Sequence, residues 1–236
     1  MPTQRSEDVT YEAMTWLDLA DEDYVAARVL ILNDFLIHGA MLSNTAIEKY
    51  LKMIHVFKNI SFSKNGKTGH DTCLLYNNLK IEGLKIDINT SFLNILNKIY
   101  KSRYHDKLEY GYNFAVNRNK FLVCLDETVH RLRSGLEIKS NNNILKFDKW
   151  IEKNYQPLLF QNCSFGSQSR NDMFSKVSSW CEMRIFRSKK PACLVANYIS
   201  GSEDNEFHDL VGLRPGEEEN KFCLQATPIE QANPSA

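Results

Sequence analysis

Two long stretches near the N-terminus repeat apolar residues every three to four positions, a spacing that commits the first half of the chain to packed helices. Over residues 9–33 the stripe is Trp16, Leu19, Ala20, Ala27, Leu30 and Ile31, while Asp18, Asp21, Glu22 and Asp23 keep another face polar. Asn33 and Asp34 break the pattern, and Gly39 falls in a short turn or at the head of the next helix. A second stripe of Ala40, Met41, Ile47, Leu51, Ile54 and Phe57 predicts a helix over residues 38–58 running back along the first. Asn44 interrupts this stripe and needs a hydrogen-bonding partner there. Glu48 and Lys52, four residues apart in the favourable Glu-first order, suit a solvated helix face as well as a recognition surface.

Shorter helices follow. Residues 60–68 read as a loop with Lys58, Lys64 and Lys67 around it, closed by Gly69, His70 and Asp71. Asp71 is placed to N-cap a helix through about residue 79. After a connecting stretch at 80–90, Ser91 is a candidate cap for a helix carrying Phe92, Leu93, Ile95, Leu96, Ile99 and Tyr100, ending near Arg103 or Tyr104. Residues 113–136 read as the last long helix, with Phe114, Phe121, Leu122, Leu125, Val129 and Leu132 on its apolar side. The expected fold class is mainly α: a polar tail at 1–10, then an up-and-down helical bundle over residues 11–139.

Beyond Gly135 the character changes. The polar run Ser140-Asn141-Asn142-Asn143 marks an internal boundary, and residues 140–226 read as a small mixed α/β or irregular C-terminal extension. It is expected to hold a short helix over 144–155 ended by Pro157, extended segments at 183–186, 192–199 and 222–226, and a loop over 201–220. Residues 227–236 read as a flexible tail.

Composition narrows the function. The chain balances 29 Lys and Arg against 29 Asp and Glu, so nucleic-acid binding would have to rely on a local basic face rather than a global field. Its six cysteines are scattered, with no C-x-x-C pair and no histidine at zinc-ligand spacing, which suits incidental thiols in a reducing cytoplasm. The first ten residues lack an apolar signal core and no long apolar run occurs, so neither export nor membrane insertion is indicated. Asn65-Gly66-Lys67-Thr68 matches only the end of a phosphate loop, without its first glycine and strand, and neither a G-x-S-x-G elbow nor an H-E-x-x-H helix occurs.

Taken in order, several short patterns resemble the HEPN domain family over about residues 11–136. They are Ala46-Ile47-Glu48-Lys49 and Leu51-Lys52 on the second of two long antiparallel helices, Gly69-His70-Asp71 entering a third, and Arg103-Tyr104 closing a fourth. The likeness is greatest to the branch whose fourth helix ends in a tyrosine, two or three residues, then Arg-Tyr, as Tyr100 and Arg103-Tyr104 do here. The resemblance implies a helical bundle, usually dimeric, with functions around nucleotides and RNA. Many such proteins are metal-independent ribonucleases, toxins or defence factors; others are non-catalytic binding modules paired with a nucleotidyltransferase. In the nuclease branch an arginine precedes a histidine by four to six intervening residues. Here none of Arg28, Arg103, Arg118, Arg131 or Arg133 has a histidine at that separation, and Val123, Cys124 and Leu125 stand where Arg118-Asn119 would require one.

Two chemistries remain for these residues. Metal-independent RNA cleavage needs a cation for the transition state and a group titrating near neutrality, roles open to Arg103 and His105. Binding alone asks less: Arg103 and Arg118 can fork onto phosphate, Tyr100 and Tyr104 can stack on bases, and Lys49, Lys52, His70 and Asn119 can add charge or hydrogen bonds. Structural roles compete at each position, with Arg103 as a helix C-terminal cation, the tyrosines as core packing and His70 as a loop anchor. The preferred expectation is a cytoplasmic homodimer binding a nucleotide or single-stranded RNA, with no cofactor or metal and with a nucleotidyltransferase-like or antitoxin protein as a further partner. A ribonuclease using Arg103 and His105 is the main alternative, and a structural interaction module the third.

Overall fold

The computed structural model describes residues 4–61, 69–107, 114–135, 145–176, 178–186 and 192–200. The expected loop at 62–68, the boundary at 140–143, the segments beyond 200 and the side chain of His105 lie outside the described residues. The architecture is mostly helical. Helix α1 spans Gln4–Leu32, α2 spans Leu36–Phe57, α3 spans Thr72–Ile81 and α4 spans Thr90–Lys101. A tighter 3-10 turn follows at Ser102–Lys107, then strand β1 at Phe114–Asn117 and helix α5 at Arg118–Ser134. Helices α6 (Lys146–Glu152), α7 (Gln156–Leu159) and α8 (Arg170–Ser175) lead to strands β2 (Ser178–Phe186) and β3 (Ala192–Ser200).

The α1–α2 hairpin is the frame. Asp34 turns the chain with a left-handed backbone (φ 64°), a conformation that Asp and Asn tolerate better than most residues. Gly39 then lets the two helices close: a Cβ there would stand 2.4 Å from Ile31 Cγ1 and 2.9 Å from the Ala27 carbonyl oxygen. Of the two stripes, Ala20, Ala27 and Ile31 of α1 are buried with Ala40, Ile47, Leu51 and Ile54 of α2, whereas Leu19 and Phe57 are exposed at 40% and 60%, and Leu17, outside the expected stripe, takes a core position on α1.

Capping and aromatic packing set the remaining helices. Asp71 caps α3 by accepting from the Leu74 amide. Asn89, not Ser91, caps α4, accepting from the Phe92 amide at 3.1 Å; Ser91 sits inside the first turn and is exposed. Between these helices the Tyr76 hydroxyl donates to the Ile86 carbonyl and accepts from the Ile88 amide, which pins the connecting stretch. Phe92 and Phe121 meet edge-on at 5.2 Å, joining α4 to α5.

The expected helix at 113–136 is in fact a strand followed by a helix. Phe114–Asn117 pairs antiparallel with β2, Phe114 opposite Met183 and Asn117 opposite Trp180, and the Asn117 side chain caps α5 by accepting from the Lys120 amide. Ladder hydrogen bonds to a partner some sixty residues downstream override the local apolar period. β2 in turn pairs with β3, giving a three-stranded antiparallel sheet in the order β1-β2-β3. The helix expected over 144–155 is shorter, and Asn154 carries the chain out of it with a positive φ of 51°. Pro157 opens α7 rather than ending α6, since its missing N–H costs nothing in a first turn.

Residues 145–165 are fastened to the bundle by a buried polar network. Arg28, wholly buried on α1, donates to both Asp126 carboxylate oxygens and to the carbonyls of Pro157 (3.3 Å) and Phe160 (2.5 Å). Tyr24 donates to Asp126 at 2.7 Å and accepts from Asn162 at 3.0 Å. Burial first, then the neighbouring Asp126 charge, pushes the Tyr24 phenol well above its ordinary range, so it stays a donor. A second buried pair joins Asp21 to Arg133, with Tyr50 donating to the same carboxylate. Among the described residues, no helix is long and apolar enough to cross a membrane.

Candidate functional site

A strip of polar and aromatic side chains runs from the middle of α1 across α2 to the start of α3 and the end of α4. Its fixed part is Glu48, on a stretch of α2 that faces inward. Glu48 is 4% exposed and Lys52 9%, so this pair is not the solvated helix face that its spacing allowed. Lys52 Nζ donates to Glu48 Oε1 at 2.5 Å and lies 5.3 Å from the centre of the Trp16 ring. The Trp16 ring on α1 thus attracts the Lys52 ammonium, which is buried.

Glu48 also holds the outer part. His70, exposed just before the α3 cap, presents Nδ1 at 3.0 Å to Glu48 Oε2. With Nδ1–H donated to the carboxylate, Nε2 is the ring atom left for other partners. The His70 ring lies 5.9 Å from Tyr100, and Tyr100 is stacked by the Arg103 guanidinium at 3.6 Å. Arg103 also lies 4.6 Å from the half-exposed Tyr104 ring. Tyr104 leaves helical geometry (φ −110°, ψ 55°), which turns its ring back towards Arg103 and places a backbone kink between Arg103 and residue 105.

Stacking decides what Arg103 can offer. A guanidinium lying flat on a ring uses its face, while its N–H donors point outward in the plane and keep the fork geometry that fits a phosphate. The ring of Tyr104 adds an exposed surface for a base. Lys49 by contrast is paired with Asp23 at 2.7 Å.

The other sequence candidates lie elsewhere. Arg118 opens α5 beside the α1–α2 corner, where it reaches Asp34 at 3.4 Å and its neighbour Asn119 at 3.3 Å. Asp34 lies in the turn before α2 and Glu48 near the middle of that helix, a rise on the order of 20 Å along the axis. Asn119 is buried and donates to the carbonyls of Met173 (3.0 Å) and Lys176 (3.4 Å), tying α5 to the end of α8. The structure thus does not bring Arg118 and Asn119 to this strip; they brace a different corner. Thiol chemistry is unfavourable at neutral pH: burial pushes Cys73 up to about 11 and Cys124 up to about 12.

Trp16 and the anchoring role of Glu48 were not legible in the sequence. Trp16 reads as one more residue of the α1 stripe, and nothing at a separation of 22 residues announces that Glu48 meets His70. Comparison with known proteins gives one family match: the HEPN domain model aligns with residues 13–154, which run from within α1 to just past α6 and include every residue of the strip. No curated protein and no solved structure matches the chain. A match across more than half the sequence, on a mostly helical structure built on an α1–α2 hairpin, places this chain in the HEPN family.

Proposed function

We propose that this HEPN protein is a non-catalytic module that binds a nucleotide or single-stranded RNA through His70, Tyr100, Arg103 and Tyr104. The observation that carries the reading is the stacked triplet, in which Arg103 lies 3.6 Å from one tyrosine ring and 4.6 Å from another. Two aromatic faces hold the guanidinium before any ligand arrives, so little side-chain entropy is lost when a phosphate docks. Bases have π-faces whatever their identity, so the exposed Tyr104 ring favours single strands over duplexes without reading sequence. Glu48 and Lys52 act behind this surface as the fixture for His70. Homodimerisation and a nucleotidyltransferase-like or antitoxin partner belong to the same proposal, as the family's habits suggest. The sequence supports binding over cleavage, because no arginine is followed by a histidine at the spacing of the nuclease branch.

The test is incubation of the full chain with labelled single-stranded RNA in EDTA, recording retention and cleavage together. Retained, intact RNA that Arg103→Ala releases is the expected result. Cleavage abolished by Arg103→Ala or His105→Ala would replace the binding reading with a metal-independent ribonuclease of toxin or defence type. Neither retention nor cleavage would turn the reading to a protein-interaction module.

A further inference from the structure

One side chain of α4, Asn97, grips the start of α3. Its Oδ1 accepts from both the Thr72 amide (3.0 Å) and the Thr72 hydroxyl (2.9 Å), and its Nδ2 donates to Asp71 Oδ1 at 2.8 Å. That Asp71 oxygen also accepts the capping bond from the Leu74 amide, so Asn97 and the α3 cap share one atom. The Thr72 amide belongs to the first-turn donors that a helix cannot satisfy for itself, and here a different helix satisfies it. Asn97 is 9% exposed and Thr72 wholly buried, so water is a poor substitute for these bonds. The Thr72 hydroxyl also lies 3.4 Å from Asn44 Oδ1, which brings α2 into the same cluster.

The arrangement calls for an amide and no other group. Position 97 must accept from the Thr72 amide on one side and donate to the Asp71 carboxylate on the other. A carboxylate there would accept from Thr72 but face Asp71 as a like charge, and an aliphatic side chain would leave the buried Thr72 amide unpaired.

What this grip controls is the residue just before it. The His70 side chain is 65% exposed, so packing alone does not set its direction. Glu48 holds Nδ1 from α2, but a contact at one ring atom fixes only a point of the ring; the backbone that carries the ring has to be fixed as well before Nε2 has a set direction. Asn97 supplies that second constraint through Asp71 and Thr72. Tyr100, one turn beyond Asn97 on α4, then meets the His70 ring at 5.9 Å, so successive turns of one helix hold the chain at 71–72 and receive the side chain at 70. We infer that Asn97 is a positioning residue for the strip: it touches no ligand, and by gripping residues 71–72 it keeps the His70 ring against Tyr100, beside the stacked Arg103. The functional meaning of this role rests on the binding reading above, in which His70 meets the ligand.

A double-mutant cycle on the full chain tests it, with a short labelled single-stranded RNA as probe and fluorescence anisotropy as readout. Asn97→Ala is expected to weaken binding about threefold to tenfold, the range of one hydrogen bond, and to add nothing further once His70 is replaced by alanine. Asn97→Asp should do no better than Asn97→Ala, whereas Thr72→Ser, which keeps both groups that Asn97 accepts from, should bind as wild type does. A second readout needs no ligand: the ring-current shift that Tyr100 imposes on the His70 ring protons, measured by NMR against Tyr100→Leu. Asn97→Ala should remove most of that shift while far-UV circular dichroism shows the helices intact. Should Asn97→Ala fail to fold, Thr72→Val keeps the amide bond and loses the hydroxyl one, and is expected to show the same pattern in smaller measure. Equal losses of affinity with and without the His70 side chain, no loss at all, or an unmoved ring-current shift overturns the positioning role, while Arg103-dependent retention keeps the binding reading. If wild type binds no RNA the binding reading falls, and the ring-current shift alone decides whether Asn97 places His70.

Discussion

Arg28 and Arg103 place the same kind of side chain beside tyrosine in two opposite settings. Arg28 is wholly buried, 6.0 Å from the Tyr24 ring centre, with its donors directed onto Asp126 and the carbonyls of Pro157 and Phe160. Arg103 is exposed, and its described contacts are with the faces of Tyr100 and Tyr104. Where the edge of the fork is consumed, the arginine holds structure together; where, among the described residues, only the face is in contact, the edge is what a ligand would meet. The difference is one of wiring rather than residue type, so it can be tested by asking which substitutions cost stability and which cost binding.

The largest loss of stability is expected at Asp126. Removing its carboxylate leaves Arg28 as an uncompensated charge in a dry interior, and Asp126→Ala should cost about 3–5 kcal/mol. Urea unfolding measures this directly. The double variant Arg28→Met with Asp126→Leu should recover most of the deficit, because burial raises the cost of both charges as well as rewarding their pairing. A double variant as unstable as Asp126→Ala would show that the bonds from Arg28 to the 157 and 160 carbonyls matter more than the ion pair.

Asp21 gives the same comparison a pH axis. Burial outweighs the attraction of Arg133 and the Tyr50 hydrogen bond, and pushes the carboxyl from its ordinary 3.8 up to about 6. Below the lower value both folded and unfolded carboxyls are protonated. As pH rises through the window to about 6 the unfolded chain releases its proton while the folded chain retains it, so stability falls across that interval. Relative to Asp21→Asn, the wild type should therefore gain up to about 3 kcal/mol on acidification from pH 7 to about 4. A relative loss instead would mean that Arg133 holds the carboxyl below its ordinary value and that the pair is net favourable.

Gly39→Ala probes the frame that carries both arginines. The new methyl would meet the Ala27 carbonyl oxygen at 2.9 Å, and backbone cannot swing aside as a side chain can. A cost of about 1–3 kcal/mol in urea is expected. Binding by the folded fraction should be unchanged, since the α1–α2 corner is far from Tyr100.

How much of this could be read in the sequence depends on the range of the interaction that decides each feature. The α1–α2 hairpin and the Asp71 cap rest on neighbours within a turn or two, and both were legible. β1 was not, because Phe114 finds its partner at Met183. The burial of Lys52 was not legible either, because its i,i+4 partner is local whereas the Trp16 ring beside its ammonium comes from another helix. One signal was available and unused: Arg28 lies four residues from Tyr24 and three from Ile31, within the buried face of α1, and a cation on an apolar stripe implies a buried counter-charge. For the candidate site, the tyrosine and arginine spacing was visible on α4, but the link from His70 to Glu48 needed the fold.

The smallest effect on stability, and the sharpest on the comparison, belongs to Arg103→Lys. An exposed side chain with no buried partner among the described residues should change stability by no more than about 0.5 kcal/mol. The substitution keeps the positive charge but removes the planar fork and the flat face that lies 3.6 Å from Tyr100. If Arg103 acts only as a helix C-terminal cation, lysine serves equally well and both stability and RNA retention stay as in wild type. If the stacked fork is what receives phosphate, retention should fall nearly as far as in Arg103→Ala while the unfolding midpoint does not move. That separation of binding from stability is what distinguishes an arginine kept for a ligand from one, like Arg28, already committed to the fold.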